Sequence, residues 1–422
     1  MGLSLSGTKM AKVSGLRSIM EDIATTTSDT GGASGWLNLS IGNPALISEV
    51  QATWQQLTAE SLAEDFTTAS CLYGPSRGAP ALVDAIVADF NARYGWGITA
   101  ENVVVGPGSQ MLCFIAAALF TGPATDGTQQ IVLPMTPDYT GYQGLCMHSG
   151  GISGVPPKIE QGEDRSFRYA FDFDALQQRN DIGMMLLSSP SNPTGRSIDS
   201  AELDRLIGVA RRRDVPLIID HAYGAPFPQI AATATAPAWD EHVINCFTLS
   251  KAGLPGERIG FAIGPAHHIN AMVSFLANSA LHAPQLAQNV AARALTTGRL
   301  QDMATEVISP FYRDRRQTAE KLLTELLPDD MDWRLHSSEG GMFCWLWINH
   351  AWFDDMALYR QLKTKRVFIV PGRHFFVDPL YTARLANHGK QCFRISLSAD
   401  ESVIGEGIVR IAEALREMRS AS

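Results

Sequence analysis

One lysine, Lys251, closes an apolar run, HVINCF, in the stretch TLSKAGLPGERIGF (248–261), with Thr248 and Ser250 before it and Arg258 after it. Surface lysines usually sit on charged helix faces, and this one does not. An amine withdrawn from water has its charged form disfavoured, which makes it a better nucleophile toward a carbonyl carbon. A carboxylate, Asp220, ends a second apolar run, VPLIID, and Tyr223 follows it in the same loop. A buried carboxylate needs a cation or hydrogen bonds to keep its charge. Gly108-Ser109-Gln110 follows a third run, VVVGP. A glycine turn leading into a helix N-terminus offers free N–H groups and a favourable dipole to a phosphate. Tyr139 in LPMTPDYTGY and Asn192 in SSPSNPTG follow two further apolar runs. Alone, they read as a packed aromatic and a turn residue.

These groups must be positioned by buried strands. The runs at 101–106, 130–135, 182–190, 215–223, 242–250 and 258–264 are continuous rather than alternating. Strands buried on both faces read this way, so the pattern predicts an α/β fold with a mostly parallel sheet covered by helices. In such a sheet ligands bind beyond the carboxyl ends of the strands, where the polar residues above fall. Asp199 with Glu202 predicts a capped helix start running through Arg213. The polar segment IATTTSDTGGASG (23–35) predicts a flexible loop. A helix-like stretch from about 300 to Leu327, then strands near 341–348 and 391–397, predict a smaller α+β domain. The expected division is a large domain over 51–300, and a small one built from 1–50 with 301–422. A nucleophilic lysine, a carboxylate, a phosphate turn and an arginine together suit a phosphorylated aldehyde with a basic ring nitrogen. Pyridoxal 5'-phosphate meets each requirement.

The motifs SNPTG, DHAYG and TLSKAGLPGERIG, in that order with Tyr73, Gly108-Ser109-Gln110, Tyr139 and Arg394, resemble the fold type I pyridoxal-phosphate enzymes of the class I/II aminotransferase superfamily. The likeness spans nearly the whole chain. Within that family, SGTKMAKVSGLRSIMEDI, GNPA (42–45), AYGAPFP (222–228), EGGMFCWLW (339–347) and VPGRHFF (370–376) are similar to the valine–pyruvate aminotransferase group. The resemblance implies roles. Lys251 forms the internal aldimine and moves a proton through a Cα carbanion, with Asp220 and Tyr223 the other catalytic residues. Asp220 keeps the ring nitrogen protonated, Asn192 and Tyr223 bond the phenolic oxygen, and Tyr139 stacks on the ring. Gly108, Ser109, Gln110, Thr248, Ser250 and Arg258 serve the phosphate. Tyr73 reaches the phosphate of the neighbouring subunit, which implies a homodimer. Arg394 grips the substrate carboxylate, and Asn43 lines the substrate pocket.

The expected reaction moves an amino group between a small neutral L-amino acid and a 2-oxo acid such as pyruvate. The alternatives are a pyridoxal-phosphate enzyme of Cβ or Cγ elimination, replacement or carbon–carbon bond formation, with S-adenosylmethionine one conceivable substrate, and a non-enzymatic regulatory use of the fold. Some positions depart from the valine–pyruvate group: NLSI before GNPA, His282 in NSALHAPQ, and the cationic pair Arg373-His374. They read either as drift on surface loops or as a pocket for a more polar substrate. The formal net charge of −9 argues against nonspecific binding to nucleic acid or anionic membranes. The longest apolar stretch, MLCFIAAALF, is about half of the ~20 residues a membrane span needs. Six scattered cysteines without CxxC spacing suit free thiols in a reducing cytoplasm rather than a metal site.

Overall fold

The central sheet of the computed structural model runs Val103–Gly106, Gly260–Ile263, Val243–Thr248, Leu217–Asp220, Ile182–Ser188, Gly127–Leu133 and Gly122–Ala124, with Ile152–Gly154 also paired to Gly127–Leu133. The structure describes residues 2–421 apart from 13, 14, 31, 126, 149, 150, 232–234, 378–384 and 386. Every apolar run named above contributes a strand to this sheet. The pairings among Val243–Thr248, Leu217–Asp220, Ile182–Ser188 and Gly127–Leu133 are parallel, and Gly260–Ile263 runs antiparallel to both its neighbours. Alternate residues serve opposite faces. Ile218 and Ile244 pack with Leu112 of the helix Ser109–Phe120, while Leu217 and Ile219 pack with Leu206 of the helix Ser200–Arg213. Both faces are covered, so the runs are largely apolar; the buried Asn245 is an exception whose side chain bonds His221 and the Ala238 carbonyl. The helix Ser200–Arg213 starts as expected: Glu202 N–H donates to Asp199, and Asp199 N–H donates back to Glu202.

A second sheet has the order Val370–Pro371, Cys392–Ser396, Phe343–Ile348, Trp333–His336, Ser166–Ala170 and Lys158–Gln161. Its last two strands form a hairpin that the expected 51–300 domain would have kept with the large sheet. Instead Leu335 and His336 pair in parallel with Ser166 and Phe167. The alternation in SFRYA gives the reason: Phe167 and Tyr169 are both buried, and their rings meet those of His336 and His388. The N-terminal segment joins this second unit through Leu37–Asn38, which pairs in parallel with Val367–Phe368.

Residues 23–29 correct the first half of the loop expected over 23–35, since Gly15–Asp29 is a helix; residues 30 and 32–35 are turn and bend, and 31 lies outside the described residues. Threonines are indifferent helix formers because their hydroxyls compete for backbone partners. Here the hydroxyls of Thr27 and Thr30 bond the carbonyls of Ile23 and Thr26 within the helix, and Ile19 anchors it by burial. All six cysteines are free; five are buried and Cys71 is exposed. Among the described residues no helix is long and apolar enough to cross a membrane.

Candidate active site

The carboxyl ends of the parallel strands open into one cavity of about 670 Å³. Lys251 enters it from the short turn Ser250–Ala252 that follows Val243–Thr248. Its amine donates to the Gly42 carbonyl at 2.6 Å and stands 5.8 Å from the centre of the Tyr223 ring. Burial, then the nearby Arg394 charge, lowers its pKa to about 8. A sizeable fraction of neutral amine near neutral pH is what a nucleophile or proton carrier requires.

Asp220 lies at the cavity floor, 5 % exposed. Its Oδ2 accepts from the Tyr142 hydroxyl at 3.2 Å and, more distantly, from Ser109 Oγ at 3.5 Å. Its Oδ1 is buried without a hydrogen-bond partner. Burial raises its pKa to about 6, against the pull of those hydrogen bonds and of Lys251. An unpartnered buried acceptor costs about 1–3 kcal/mol and invites a donor.

At one end of the cavity Ser109, Gln110, Thr248, Ser250 and Arg258 converge. Gly108 stands just before them with φ +83°, and a Cβ there would lie 2.5 Å from the Arg258 guanidinium, so only glycine fits. Arg258 also holds a positive φ, +54°, which is uncommon outside glycine and aims its side chain at the start of the helix Ser109–Phe120. Its NH1 reaches Ser250 Oγ at 3.4 Å, and Thr248 and Ser250 hydroxyls are 2.9 Å apart. A helix N-terminus, hydroxyls and a guanidinium make an anion cradle.

Asn192 and Tyr223 meet through Asn192 Nδ2 and the Tyr223 hydroxyl at 3.2 Å. Asn192 Oδ1 also accepts from Arg394 NH1 at 2.8 Å, and Arg394 NH2 donates to the Ser40 carbonyl at 3.0 Å. Arg394 is 2 % exposed and lies 3.9 Å over the Phe343 ring. Its Nε is buried without a partner, and burial depresses its pKa to about 10. Tyr139 and Asn43 line the same cavity.

The chain matches the family described as aminotransferase class I and II over residues 34–411. It is 31% identical over 417 residues to the valine–pyruvate aminotransferase of Escherichia coli, covering 98% of each chain. A putative amino-acid aminotransferase from Psychrobacter arcticum superposes with a TM-score of 0.93 at 32% identity, over 100% of both chains. The valine–pyruvate aminotransferase of Salmonella typhimurium superposes with a TM-score of 0.86 at 29% identity, covering 97% of this chain and 100% of that one.

The chain belongs to the class I and II aminotransferases. It is a fold type I enzyme that uses pyridoxal phosphate. The cavity of this aminotransferase suits that cofactor: a buried acceptor, Asp220 Oδ1, lacks a partner, as a protonated ring nitrogen requires, and an anion cradle stands at one end.

Some of the expected residues fall elsewhere. Tyr73 is 87 % exposed and is not part of this cavity's lining; its ring meets His282 edge-on at 6.0 Å. Arg373 is turned to Asp354 and Asp355, and the His374 ring packs at Gly15, so neither lines the cavity. Tyr142, Ser188, Met20 and Ile23 also line it, and sequence reasoning missed them. Tyr142 had a signal, since it ends the same LPMTPDYTGY motif as Tyr139. Met20 and Ile23 lie in the motif SGTKMAKVSGLRSIMEDI, but nothing in it marks them as cavity-lining, and Ile23 opens the segment that reads as a loop.

Proposed function

We propose that this aminotransferase takes the amino group from a small neutral amino acid, valine- or alanine-like, and delivers it to a 2-oxo acid such as pyruvate. The observation that carries this reading is the charge pattern of the cavity. Among the described lining residues the cations are Lys251, Arg258 and Arg394. Arg258 belongs to the anion cradle and Lys251 to the chemistry, which leaves Arg394 as the one grip for a carboxylate. Arg373, the cation nearest in sequence to the pocket motifs, is neutralised by two aspartates. Met20, Ile23 and Ile41 line the wall apolar. A substrate with a second carboxylate would find no cation to pair with among these residues, so that carboxylate would add nothing to its affinity. The named activity of the Escherichia coli relative supports the same choice.

When bound, the cofactor supplies an aldehyde that condenses with amines and a ring that takes up the electron pair left when the substrate Cα–H bond breaks. The protein's residues do the rest. Arg394 binds the α-carboxylate and fixes the face that Cα presents. Lys251 Nζ, partly neutral at its lowered pKa, takes the proton from Cα. Asp220 offers its free Oδ1 to a positively charged N–H. Asn192 and Tyr223 would donate to the cofactor's phenolic oxygen, and Tyr139 would pack against its ring. Ser109, Gln110, Thr248, Ser250 and Arg258 hold the phosphate.

Tyr73 is exposed, as are Leu72 beside it in the chain and Leu281 next to His282, the ring it meets. Such a patch supports a homodimer in which each Tyr73 serves the partner's site. Five buried free thiols support a cytoplasmic setting. The substrate reading is tested by kcat/KM for valine, alanine, aspartate and glutamate with pyruvate as acceptor. Valine or alanine should exceed either dicarboxylic acid by about 10²-fold or more. A preference for aspartate or glutamate would refute it.

A further inference from the structure

Asp138 has no part in the chemistry described so far and does not line the main cavity, yet it is a carboxylate only 3 % exposed. Its Oδ1 accepts from the backbone N–H of Tyr139 at 2.7 Å and from the Ser188 hydroxyl at 2.5 Å. Its Oδ2 accepts from the Ser188 N–H at 3.1 Å. Its own N–H donates to the Phe375 carbonyl at 3.2 Å, and the Phe375 ring lies 5.2 Å from the Arg394 guanidinium. Ser188 Oγ in turn accepts from the backbone N–H of Asn192 at 3.2 Å. One side chain therefore joins the Tyr139 loop to the Asn192 loop, and its backbone ties both to the unit that carries Arg394.

We infer that Asp138 is a positioning residue for the amino transfer: it sets Tyr139 and Asn192, and through Asn192 both Tyr223 and Arg394, before any ligand arrives. A carboxylate is the group the geometry needs. Three donors meet it, two of them on one oxygen and one on the other, and the ionised carboxylate accepts from all three. An asparagine could keep the two bonds to one oxygen but would turn an NH₂ toward the Ser188 N–H. The catalytic and binding side chains are held by groups that face away from substrate, which is how a site reaches its working geometry without reorganising. The inference rests on the roles given above to Asn192 and Arg394.

The test is a double-mutant cycle on the cofactor-loaded enzyme with Asp138→Asn, Asn192→Ala and both together. Two quantities are read: the pH titration of the visible absorbance of cofactor held by Lys251, without substrate, and the separate KM and kcat for the amino acid. Asp138→Asn should shift the spectral titration by about 0.3–1 pH unit in the same direction as Asn192→Ala, and raise KM about 5–10-fold with kcat falling less. In the Asn192→Ala background it should change KM by less than about twofold. Wild-type titration and KM in Asp138→Asn, beside an affected Asn192→Ala, would overturn the positioning role alone. So would effects that simply multiply. An inert Asn192→Ala would overturn the site reading and this inference together. Should Asp138→Asn fail to fold, Ser188→Ala breaks the same link to Asn192 and carries the same expectations.

Discussion

The end of the cavity proposed to hold the phosphate and ring rises from the ends of strands in one buried sheet. Ser109 follows Val103–Gly106, Tyr139 follows Gly127–Leu133, Asn192 follows Ile182–Ser188, and Asp220 and Thr248 terminate their own strands. The opposite end is gathered from distant pieces: Met20 and Ile23 from an N-terminal helix, Asn38 to Asn43 from an extended segment, Arg394 from the second sheet. Asp220 and Thr248 are buried, whereas Met20 is 61 % exposed. On the function proposed above, the sheet carries the chemistry and the assembled wall selects what it acts on. Changes in the first region should therefore stop the reaction, and changes in the second should redirect it.

The largest effect belongs to Lys251→Ala. It removes the covalent anchor and the proton carrier together, and turnover should fall by about 10⁴-fold or more while the chain still folds. Steady-state rates and circular dichroism check this. Asp220→Asn keeps the shape but removes the charge facing the ring nitrogen, and kcat should drop about 10²–10³-fold. Arg394→Ala crosses to the other region: kcat/KM for the amino acid should fall about 10²-fold, with the cofactor still bound and its absorbance nearly unchanged. Loss of cofactor in that variant would erase the distinction between the two ends.

A pH experiment sharpens the contrast without substrate. The folded pKa of Asp220, about 6, lies above its ordinary 3.8 because of burial. The folded apoprotein thus holds a proton that the unfolded chain has lost, so its contribution is full below pH 4 and disappears as pH rises to about 6. Asp138, raised to about 7 by burial, acts in the same sense. Denaturant unfolding of apoprotein at pH 4 and pH 6.5 should show Asp220→Asn losing on the order of 2–3 kcal/mol less than the parent across that window. The smallest effect belongs to the wall. Ile23→Ala should leave kcat for alanine near the parent value and shift the preference between alanine and a larger donor by less than about tenfold.

The same division decides what can be read in the sequence. Asp220 and Lys251 stand out because a polar side chain at the end of a continuous apolar run is costly to bury unless a partner compensates it, whereas Asn192, a turn residue by itself, stands out only through the ordered SNPTG motif. The strands beneath them are equally plain. Ile23 is hidden because consecutive threonines obscure a helix held by tertiary packing at Ile19, and Met20 because nothing in its own segment points to the distant cavity. The hairpin Lys158–Gln161 with Ser166–Ala170 reads as part of the large domain but pairs in the second sheet, since a strand's own alternation does not name its partner. Asp138 sits in the LPMTPDYTGY motif, but its importance lies in Ser188, fifty positions away, and only the fold brings them together. Arg373 and His282 stand out as departures in the sequence, but their neighbours Asp354, Asp355 and Tyr73 occupy them.

The most direct measurement is a single-turnover half-reaction. The cofactor-loaded enzyme is mixed with valine, alanine or aspartate alone, without acceptor, while the visible absorbance is followed and the products are counted. Valine or alanine should bleach the Lys251-bound absorbance and release one 2-oxo acid per site, and aspartate should do so far more slowly. Aspartate reacting fastest, or absorbance returning with no 2-oxo acid released, would contradict an aminotransferase whose wall selects small neutral amino acids.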